Sequence, residues 1–388
     1  MWRMDAGKNT VSAVSTAPAV EAAVRVVAAE DVREMFLTVR APAAAGTEDQ
    51  ARAVWGVVAD ALAEHEAFVV EERVFLTTAR ALPACRAIRA EYLAARDGGV
   101  EPMWLTTRGN DTGGISGLVL RAIGGGVAPA TLRFNGRPSA RRWCRGGYAI
   151  VTGTSFGSHG SDALTQAREM FAAADTCLKT IGLGWDNVAR TWLWLRDILG
   201  WYGSLNEARN ELFRARGLFD AGGEARLPAS TGIGVAPAAG GYCALDWVAE
   251  TGGAMRRLAR TSRQGAAFRY GSAFSRAVSV ESPFGRHVYV SGTASIGADG
   301  TTRHAGQADA QIEETLRAVC SALREAAGTE KPRVVQALVY CKTADVERIF
   351  RRQEATDSPC LTLYADICRP DLVFEIECLA VVENARSP

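Results

Sequence analysis

Two glutamates near the end of the sequence are the best candidates for acid–base chemistry. Glu375 and Glu377 are separated by one residue within a mostly apolar run that is typical of a β-strand. Side chains two residues apart on a strand lie on the same face, so we expect the two carboxyl groups to be neighbours. A neighbouring carboxylate and burial both raise the pKa of a carboxyl group, which suits a general acid near neutral pH.

Two threonine–glycine segments are candidates for binding an anion through the backbone. One contains Gly292 and Thr293, and the other contains Thr231 and Gly232. Successive N–H groups in such a turn can bind a carboxylate, although an ordinary turn without a ligand has the same sequence. The sequence leaves both interpretations open.

The spacing of cysteine and histidine does not indicate a metal centre. The nine cysteines form no CxxC pair, and the four histidines lie far apart in the sequence. A zinc site or a disulfide framework would require paired spacing. We therefore expect no metal, no cofactor and reduced thiols, as in a cytoplasmic protein.

The composition of the 388-residue chain argues against nucleic-acid and membrane partners. The hydrophobic fraction is 48% and the formal net charge is +1, so the charge balance indicates no basic surface for nucleic acid. No apolar run approaches the roughly 20 residues of a membrane span. Residues 1–30 are rich in Ala, Val and Ser but interrupted by charge, and we expect them to be a flexible leader.

Four aromatic residues cluster in the middle of the chain. Trp192 and Trp194 lie two apart on a predicted strand, and Trp201 and Tyr202 follow closely. A stacking surface for nucleic acid would need basic charge around it, which a net charge of +1 does not supply. We therefore expect these side chains to pack in the core or between domains.

An internal repeat organises the chain. Three helical segments align without gaps from a shared glutamine, which is Gln50, Gln166 or Gln311, and each keeps apolar residues on one face. A strand-like run precedes each helix, another follows it, and an extended run closes each copy. The pattern predicts three tandem α+β units, with boundaries in stretches rich in Gly, Ala and Pro. The predicted units are residues 31–126, 127–252 and 253–388.

Comparison of the copies separates the two glutamates. The position of Glu377 is charged in all three copies, which predicts a shared structural or rim role. The position of Glu375 is apolar in the other copies, so only the third copy places an acid there. This favours a functional Glu375, with a solvated strand glutamate as the alternative. The matching positions are Arg121 and Asp246 for Glu377, and Val119 and Ala244 for Glu375.

The order of these blocks resembles the Rid (YjgF) family. The resemblance is carried by residues 291–293 (Ser-Gly-Thr), Gln311 and residues 375–377 (Glu-Ile-Glu). Rid proteins are trimers with active sites in clefts between subunits. The resemblance therefore implies three chorismate-mutase-like units, each a mixed sheet covered by helices on one face, that form a pseudo-trimer within one chain.

A narrower resemblance is to bacterial chorismatases, which are built from Rid-like domains. It is carried by residues 228–234, 273–277, 291–296 and 366–376. Chorismatases hydrolyse chorismate to pyruvate and a cyclohexadiene or hydroxybenzoate acid. A longer Pro- and Tyr-rich stretch before the second of these segments helps to form their pocket, and this chain has only residues 263–271 there. A related enolpyruvyl acid therefore stays an alternative substrate.

The chorismatase resemblance implies a set of site residues. Glu375 would be the general acid. Cys368 would assist, because a cysteine here accompanies the hydroxybenzoate outcome in some chorismatases; a small buried core residue is the alternative. Arginines would hold the substrate carboxylates by bidentate pairing, with surface arginines as the alternative. The substrate-binding candidates are Arg209, Arg276, Arg369, Gly292, Thr293, Ala294, Thr231, Gly232 and Tyr270.

Two other functions stay open. The ordinary Rid reaction, hydrolysis of reactive enamines and imines, relies on an arginine in a Pro-Ala-Arg segment, where the middle copy has Ser230. The lack of that arginine favours a chorismatase, and it equally favours a non-catalytic module that binds a small metabolite. The expected partner is a small carboxylic acid, and the chain is expected to be a monomeric pseudo-trimer or a homo-oligomer.

Overall fold

A computed structural model describes residues 20–42, 46–108, 114–157, 160–219, 225–329, 332–352 and 359–384 of the protein. These residues form 18 strands and six α-helices, and the strands belong to three sheets of six strands each. No helix among them is both long and apolar enough to cross a membrane.

The elements follow one another in three similar groups. The first group is β1 (Glu21–Ala29), β2 (Val32–Arg40), α1 (Thr47–Glu64), β3 (Ala67–Leu76), α2 (Leu82–Leu93), β4 (Met103–Thr106) and β5 (Ile115–Gly124). The second is β6 (Ala130–Phe134), β7 (Arg137–Arg145), β8 (Tyr148–Gly157), α3 (Ala163–Thr180), β9 (Val188–Leu195), α4 (Ile198–Ala215), β10 (Ala229–Ile233), β11 (Ala236–Pro237) and β12 (Cys243–Thr251). The third is β13 (Met255–Leu258), β14 (Ala277–Ser282), β15 (Gly285–Ala294), α5 (Ala308–Ala327), β16 (Arg333–Cys341), α6 (Ala344–Arg351), β17 (Cys360–Tyr364) and β18 (Phe374–Val382).

The three sheets share one strand order. It is β1-β2-β5-β3-β4 in the first sheet, β7-β8-β12-β9-β10 in the second and β14-β15-β18-β16-β17 in the third. The last pair in each order is parallel, whereas the pairs before it are antiparallel, so each sheet is mixed. Strands β6 and β13 extend the second and third sheets, whereas β11 crosses over to pair with β4 of the first sheet. The α+β repeat predicted from the sequence is therefore present as three sheets of one topology.

The glutamine shared by the three helices has the same role in each unit. Gln50, Gln166 and Gln311 are buried in the first turns of α1, α3 and α5. Each side-chain amide donates to a backbone carbonyl in the segment before its helix. Each side-chain carbonyl accepts from a backbone N–H at the start of the last strand of its unit. Buried backbone groups need partners, and one glutamine supplies both, which explains why this residue recurs.

Helices cover one face of each sheet, and the opposite faces meet in a common core. Trp55 of α1 belongs to an apolar cluster beneath α1 and α2, and similar clusters lie beneath α3 and α4 and beneath α5 and α6. The opposite faces of all three sheets contribute to a single cluster that includes Phe75, Trp194 and Tyr340. Trp192 belongs to it as well, so the core packing predicted for Trp192 and Trp194 is confirmed.

The flexible leader expected for residues 1–30 is wrong for its last part. Strand β1 begins at Glu21 and pairs with β2 along its whole length through a turn at Glu30 and Asp31. Arg25, which interrupts the apolar run in the sequence, is buried in this hairpin. A charged residue therefore does not prevent a strand here, because the ladder of β2 satisfies the backbone. Residues 1–19 lie outside the described part of the chain.

The sheets follow one another along the chain. The first gives way to the second between Gly124 and Ala130, and the second to the third between Thr251 and Met255. The domain boundaries expected at residues 126 and 252 fall in these connections. The division into separate domains stays a prediction.

Buried ion pairs join neighbouring sheets. Arg73 of the first sheet donates to Asp246 of the second at 3.1 Å, and Arg190 of the second donates to Glu377 of the third at 2.5 Å. Asp246 and Glu377 are the residues that occupy the same position in the repeat. Both are buried and paired, which agrees with the structural role predicted for this position.

A second buried cluster takes charged residues from all three sheets. His287 of the third sheet lies 2.8 Å from Glu34 of the first and 3.2 Å from Glu250 of the second. Arg121 Nε donates to Glu34 at 2.6 Å, and Tyr148 Oη donates to Glu250 at 2.6 Å. Burial alone would lower the pKa of His287, but the two carboxylates outweigh it and raise the pKa to about 9. His287 is therefore a cation at neutral pH, balanced by its neighbours.

We predict that this cluster makes the fold sensitive to alkaline pH. The folded state keeps the His287 proton up to a pKa of about 9, against 6.5 for an ordinary histidine. The stabilisation is therefore complete below about pH 6.5 and is lost as the pH rises to about 9. Urea unfolding of the protein and of His287→Gln across this range should show their difference in unfolding free energy shrinking by on the order of 3 kcal/mol. A difference that does not depend on pH would contradict the prediction.

Candidate active site

A cavity of about 140 Å³ lies between the second and third sheets. Helix α4 and strand β10 line it from the second unit, and strands β15 and β18 line it from the third. The segments that precede β14 and β18 complete its wall. The cavity is therefore formed by two units, and neither of them lines it alone.

Glu375 is placed by the pairing of β18 with both of its neighbours. It stands opposite Ala294 on β15 and Tyr340 on β16, and only 4% of it is exposed. No donor among the described residues hydrogen-bonds its carboxyl group. Burial raises the pKa of Glu375, and the Glu377 carboxylate adds to this rise, so that the pKa reaches about 8 despite nearby arginines. Glu375 is therefore mostly protonated at neutral pH.

Gly292 leaves the space in which the Glu375 carboxyl group lies. A Cβ atom on residue 292 would be 2.1 Å from Glu375 Oε1 and 3.0 Å from Thr231 Oγ1. The Gly292 N–H donates to Thr231 Oγ1 at 2.9 Å. This N–H is thus engaged within the protein, and the anion-binding role considered for the Gly292 backbone gives way to a steric one.

Two buried arginines face the cavity. Arg276 donates through Nε and Nη2 to the Gly265 carbonyl at 3.0 and 2.9 Å, and through Nη2 to Tyr270 Oη at 2.7 Å. Arg209 donates through Nη2 to Asn206 at 2.5 Å. The buried Nε of Arg209 has no hydrogen-bond partner among the described residues. A buried donor without a partner is costly, and an anionic ligand would satisfy it.

A third arginine lies at the same wall with partial exposure. The Arg369 guanidinium lies 5.6 Å from the centre of the Tyr270 ring and contacts Thr302 Oγ1 at 3.4 Å. Within the described part of the chain, none of the three cavity arginines forms an ion pair with a carboxylate. The buried arginines that join the sheets are paired, so the cavity has positive charge that the described residues do not neutralise.

Cys368 lines the cavity as a neutral thiol. Burial raises its pKa to about 12, with a smaller contribution from Glu375. A thiol is a weak nucleophile because reactivity belongs to the thiolate. Cys368 can therefore contact or weakly hydrogen-bond a ligand, but its environment does not generate a thiolate at neutral pH.

The structure brings together most of the site residues named from the sequence. Those that line the cavity are Glu375, Cys368, Arg209, Arg276, Arg369, Gly292, Ala294, Gly232 and Tyr270. Thr231 and Thr293 lie behind this wall. Thr231 supports Gly292 by the hydrogen bond described above, and Thr293 Oγ1 donates to the Ser291 carbonyl of its own strand.

Several lining residues were not named as site residues from the sequence. They are Tyr202, Asn206, Ser230, Ser272, Phe274 and Ile296. A signal existed for two of them, because positions 202, 206 and 209 are spaced by four and three residues and so share one face of α4 with the predicted Arg209. Tyr202 had instead been assigned to an aromatic packing group. That packing is present, because Tyr202 packs against the apolar cluster beneath α3 and α4, and the same residue also lines the cavity.

The described residues contain no group of three or more His, Cys, Asp or Glu side chains that could hold a metal ion.

Comparisons with known proteins give a match in structure alone. No protein-family model matches the sequence, and no curated protein sequence matches it. A crystal structure of a chorismatase matches with a TM-score of 0.60 over 92% of this chain and 99% of that chain, at 18% sequence identity.

Shorter proteins match one third of the chain. A putative endoribonuclease from Thermotoga maritima is 25% identical over 33% of this chain and 99% of its own, with a TM-score of 0.27. A YjgF-family protein from Neisseria meningitidis is 21% identical over 34% of this chain and 98% of its own, with a TM-score of 0.25.

The chorismatase match, which spans nearly the whole of both chains, shows that this protein has a chorismatase-like fold.

Proposed function

We propose that the protein hydrolyses the enolpyruvyl ether of chorismate, or of a closely related dicarboxylic acid, with Glu375 as the general acid. One observation carries the proposal. Among the described residues that line the cavity, Glu375 is the only acidic side chain, and it is mostly protonated beside three arginines that lack carboxylate partners. A site of this kind suits an anion that must be protonated.

The charge of the cavity supports a substrate with two carboxylates. Arg209, Arg276 and Arg369 contribute three positive charges, and a neutral Glu375 does not offset them. The guanidinium fork pairs with carboxylates in two-point fashion, and burial strengthens such pairs. Chorismate carries one carboxylate on its ring and one on its enolpyruvyl group, so it can engage more than one arginine at once.

The proposed reaction starts with proton transfer to carbon. Glu375 gives its proton to the terminal methylene of the enol ether, and the adjacent carbon becomes an oxocarbenium ion. Water adds to that carbon and gives a proton to the Glu375 carboxylate, which restores the acid. The hemiketal hydroxyl then gives its proton to the ring oxygen as the bond between that oxygen and the hemiketal carbon breaks, which releases pyruvate and the ring alcohol. One water is consumed, and no redox step is involved.

In this proposal the neutral Cys368 thiol influences which ring product forms. A neutral thiol near the acid can donate a weak hydrogen bond to a ring oxygen. In this proposal Cys368 therefore biases the fate of the ring, and Glu375 carries the bond cleavage. The ring product is either the dihydroxycyclohexadiene acid, for which one water is consumed overall, or a hydroxybenzoate, for which the ring also loses one water so that no net water is consumed.

The use of two units in one cavity suits a pseudo-trimer within the chain. The acid comes from the third unit, and Arg209 comes from the second. In a trimer of separate Rid chains such a cleft lies between subunits. We propose that the three predicted units, residues 31–126, 127–252 and 253–388, have this arrangement and that the first two supply scaffold and clamp.

We predict that Glu375→Gln abolishes pyruvate release from chorismate. The amide cannot donate a proton to carbon, so the rate should fall by at least about 100-fold. Pyruvate is followed with lactate dehydrogenase and NADH. The melting temperature should be unchanged or higher, because a neutral amide replaces a carboxyl group that burial already keeps protonated. Glu313→Gln, on the exposed face of α5, is the matched control and should keep full activity.

The pyruvate assay and a parallel ammonia assay with an enamine substrate have three possible results, and each has a different meaning. Pyruvate from the unchanged protein at the level of Glu375→Gln would overturn the proposal. Ammonia release from an enamine substrate would instead assign the Rid reaction. A folded protein that is inactive in both assays would be a binding module.

We predict a basic limb in the pH dependence of the rate. Glu375 must be protonated to act, and burial and Glu377 raise its pKa to about 8. The value of kcat/KM should therefore be level below about pH 8 and fall about tenfold per unit above it. A rate that rises from pH 7 to 9 would show that the ionised carboxylate is the active form and would contradict the assignment.

We predict that Gly292→Ala inactivates the protein without unfolding it. The new methyl would lie 2.1 Å from Glu375 Oε1, which is the free end of a side chain and can move away. Displacing the acid by about 1 Å should lower kcat by about 100-fold. The matched control is Gly203→Ala on the exposed face of α4, where a Cβ has no neighbour within 4 Å. Unchanged activity of Gly292→Ala would contradict the position assigned to the carboxyl group.

A further inference from the structure

Arg190 lies behind the cavity, on strand β9 of the second sheet. It is 2% exposed and is not part of the cavity lining. One nitrogen, Nη2, donates to Thr231 Oγ1 and to Glu377 Oε2, the latter at 2.5 Å. A single guanidinium thus joins the strand that follows α4 to the strand that carries Glu375.

Both hydrogen-bond partners of Arg190, Thr231 and Glu377, lie next to Glu375. Glu377 is on the same face of β18 as Glu375, and its other oxygen accepts from Trp192 Nε1 at 2.6 Å. With a donor on each oxygen, the Glu377 side chain is held in place beside the acid. Thr231 accepts the Gly292 N–H and borders the space that the Glu375 carboxyl group occupies.

We infer that Arg190 is a positioning residue that holds Thr231 and Glu377 in place and thereby fixes both the location and the protonation of Glu375. The inference rests on the proposed function for its kinetic consequences. Arg190 itself does not touch the substrate cavity, so it acts through its two partners. The ion pair also affects the charge of Glu375. The Glu377 carboxylate raises the pKa of Glu375, and the Arg190 guanidinium lowers it.

Charged and titratable groups from both units face Glu375. They lie on β18 itself, on its neighbour β16, on β9 and α4 of the second unit, and in the segments before β14 and β18. These groups are Glu377, Arg190, Tyr340, Tyr202, Arg209, Tyr270, Arg276, Cys368 and Arg369. Among them Glu377 and Arg190 are paired with each other, so removing one leaves the other charge uncompensated beside the acid.

Two variants should therefore shift the pKa of Glu375 in opposite directions. Glu377→Gln removes the neighbouring negative charge and frees the Arg190 cation, which favours ionised Glu375 and lowers its pKa. Arg190→Gln removes the cation and leaves an unpaired carboxylate next to Glu375, which raises the pKa. We expect the pKa of Glu375 to shift by at least about one unit in each variant, since an unpaired charge close to a carboxyl group typically shifts the pKa of that group by roughly one to three units.

The experiment follows this shift by two routes. The first is the basic limb of kcat/KM with chorismate, which should move to lower pH in Glu377→Gln and to higher pH in Arg190→Gln. The second needs no substrate. It titrates the infrared C=O band of protonated Glu375, identified as the band that Glu375→Gln lacks, in the full-length protein and in each variant.

Two further variants separate positioning from general damage. Arg190→Lys keeps the charge, but its shorter side chain does not place a nitrogen where Nη2 contacts both Thr231 and Glu377, so the limb should stay in place while kcat falls and KM changes little. If Arg190→Gln does not fold, Arg190→Lys still tests whether Arg190 positions its two partners. Glu72→Gln breaks a different buried ion pair, with Arg89 of α2, and should lower stability without moving the limb.

The outcomes distinguish the inference from the proposed function. Opposite shifts of the infrared titration support the inference even if no pyruvate is released, in which case only the proposed function fails. Shifts in the same direction, or no shift in either variant, would overturn the inference while leaving the hydrolase assignment to the Glu375→Gln assay. A shift in Glu72→Gln equal to that in Glu377→Gln would also overturn it.

Discussion

Charged side chains on the inner faces of the sheets must find partners across the sheet boundaries. A buried charge without a partner costs several kcal/mol, so each such residue constrains where the neighbouring sheet can lie. Arg73 with Asp246 joins the first sheet to the second, and Arg190 with Glu377 joins the second to the third. These pairs sit beside a common apolar core, which is not directional and would otherwise allow the sheets to slide.

Two groups at the cavity lack such partners among the described residues. Arg209 keeps a buried Nε without a partner, and Glu375 keeps a carboxyl group that no described donor contacts. Such groups destabilise a fold when nothing binds them, and strained or unsatisfied groups tend to mark sites of function. The ion pair of Arg190 and Glu377 stands directly behind the cavity. The same interaction that fixes two sheets together therefore also shapes the environment of the acid.

The sequence was sufficient for the repeat and for naming Glu375, which lines the cavity, but not for the rest of the cavity wall. The shared glutamines could be found because each one makes the same local contacts, so the same residue type is needed at each copy. Strand β1 was missed because a buried arginine, Arg25, breaks the apolar pattern, and only the β2 ladder shows that the segment is extended. Ser272 and Phe274 were missed because their place in the wall depends on how two units pack, which no local pattern encodes.

Two glycines on equivalent strands show how the second and third units differ beside their last strand. Gly153 lies on β8 and Gly292 on β15, which have the same place in the strand order of their sheets. A Cβ on Gly153 would lie 2.2 Å from the Trp247 indole, whereas one on Gly292 would lie 2.1 Å from the Glu375 carboxyl group. The two glycines face opposite sides of their sheets. Trp247 belongs to the apolar cluster beneath α3 and α4, whereas Ile376 and Cys378 face the helices in the third unit and leave Glu375 on the other face, towards the cavity. Ala244 stands where the third unit has Glu375, so only the third unit places a carboxyl group in this wall, and burial there raises its pKa.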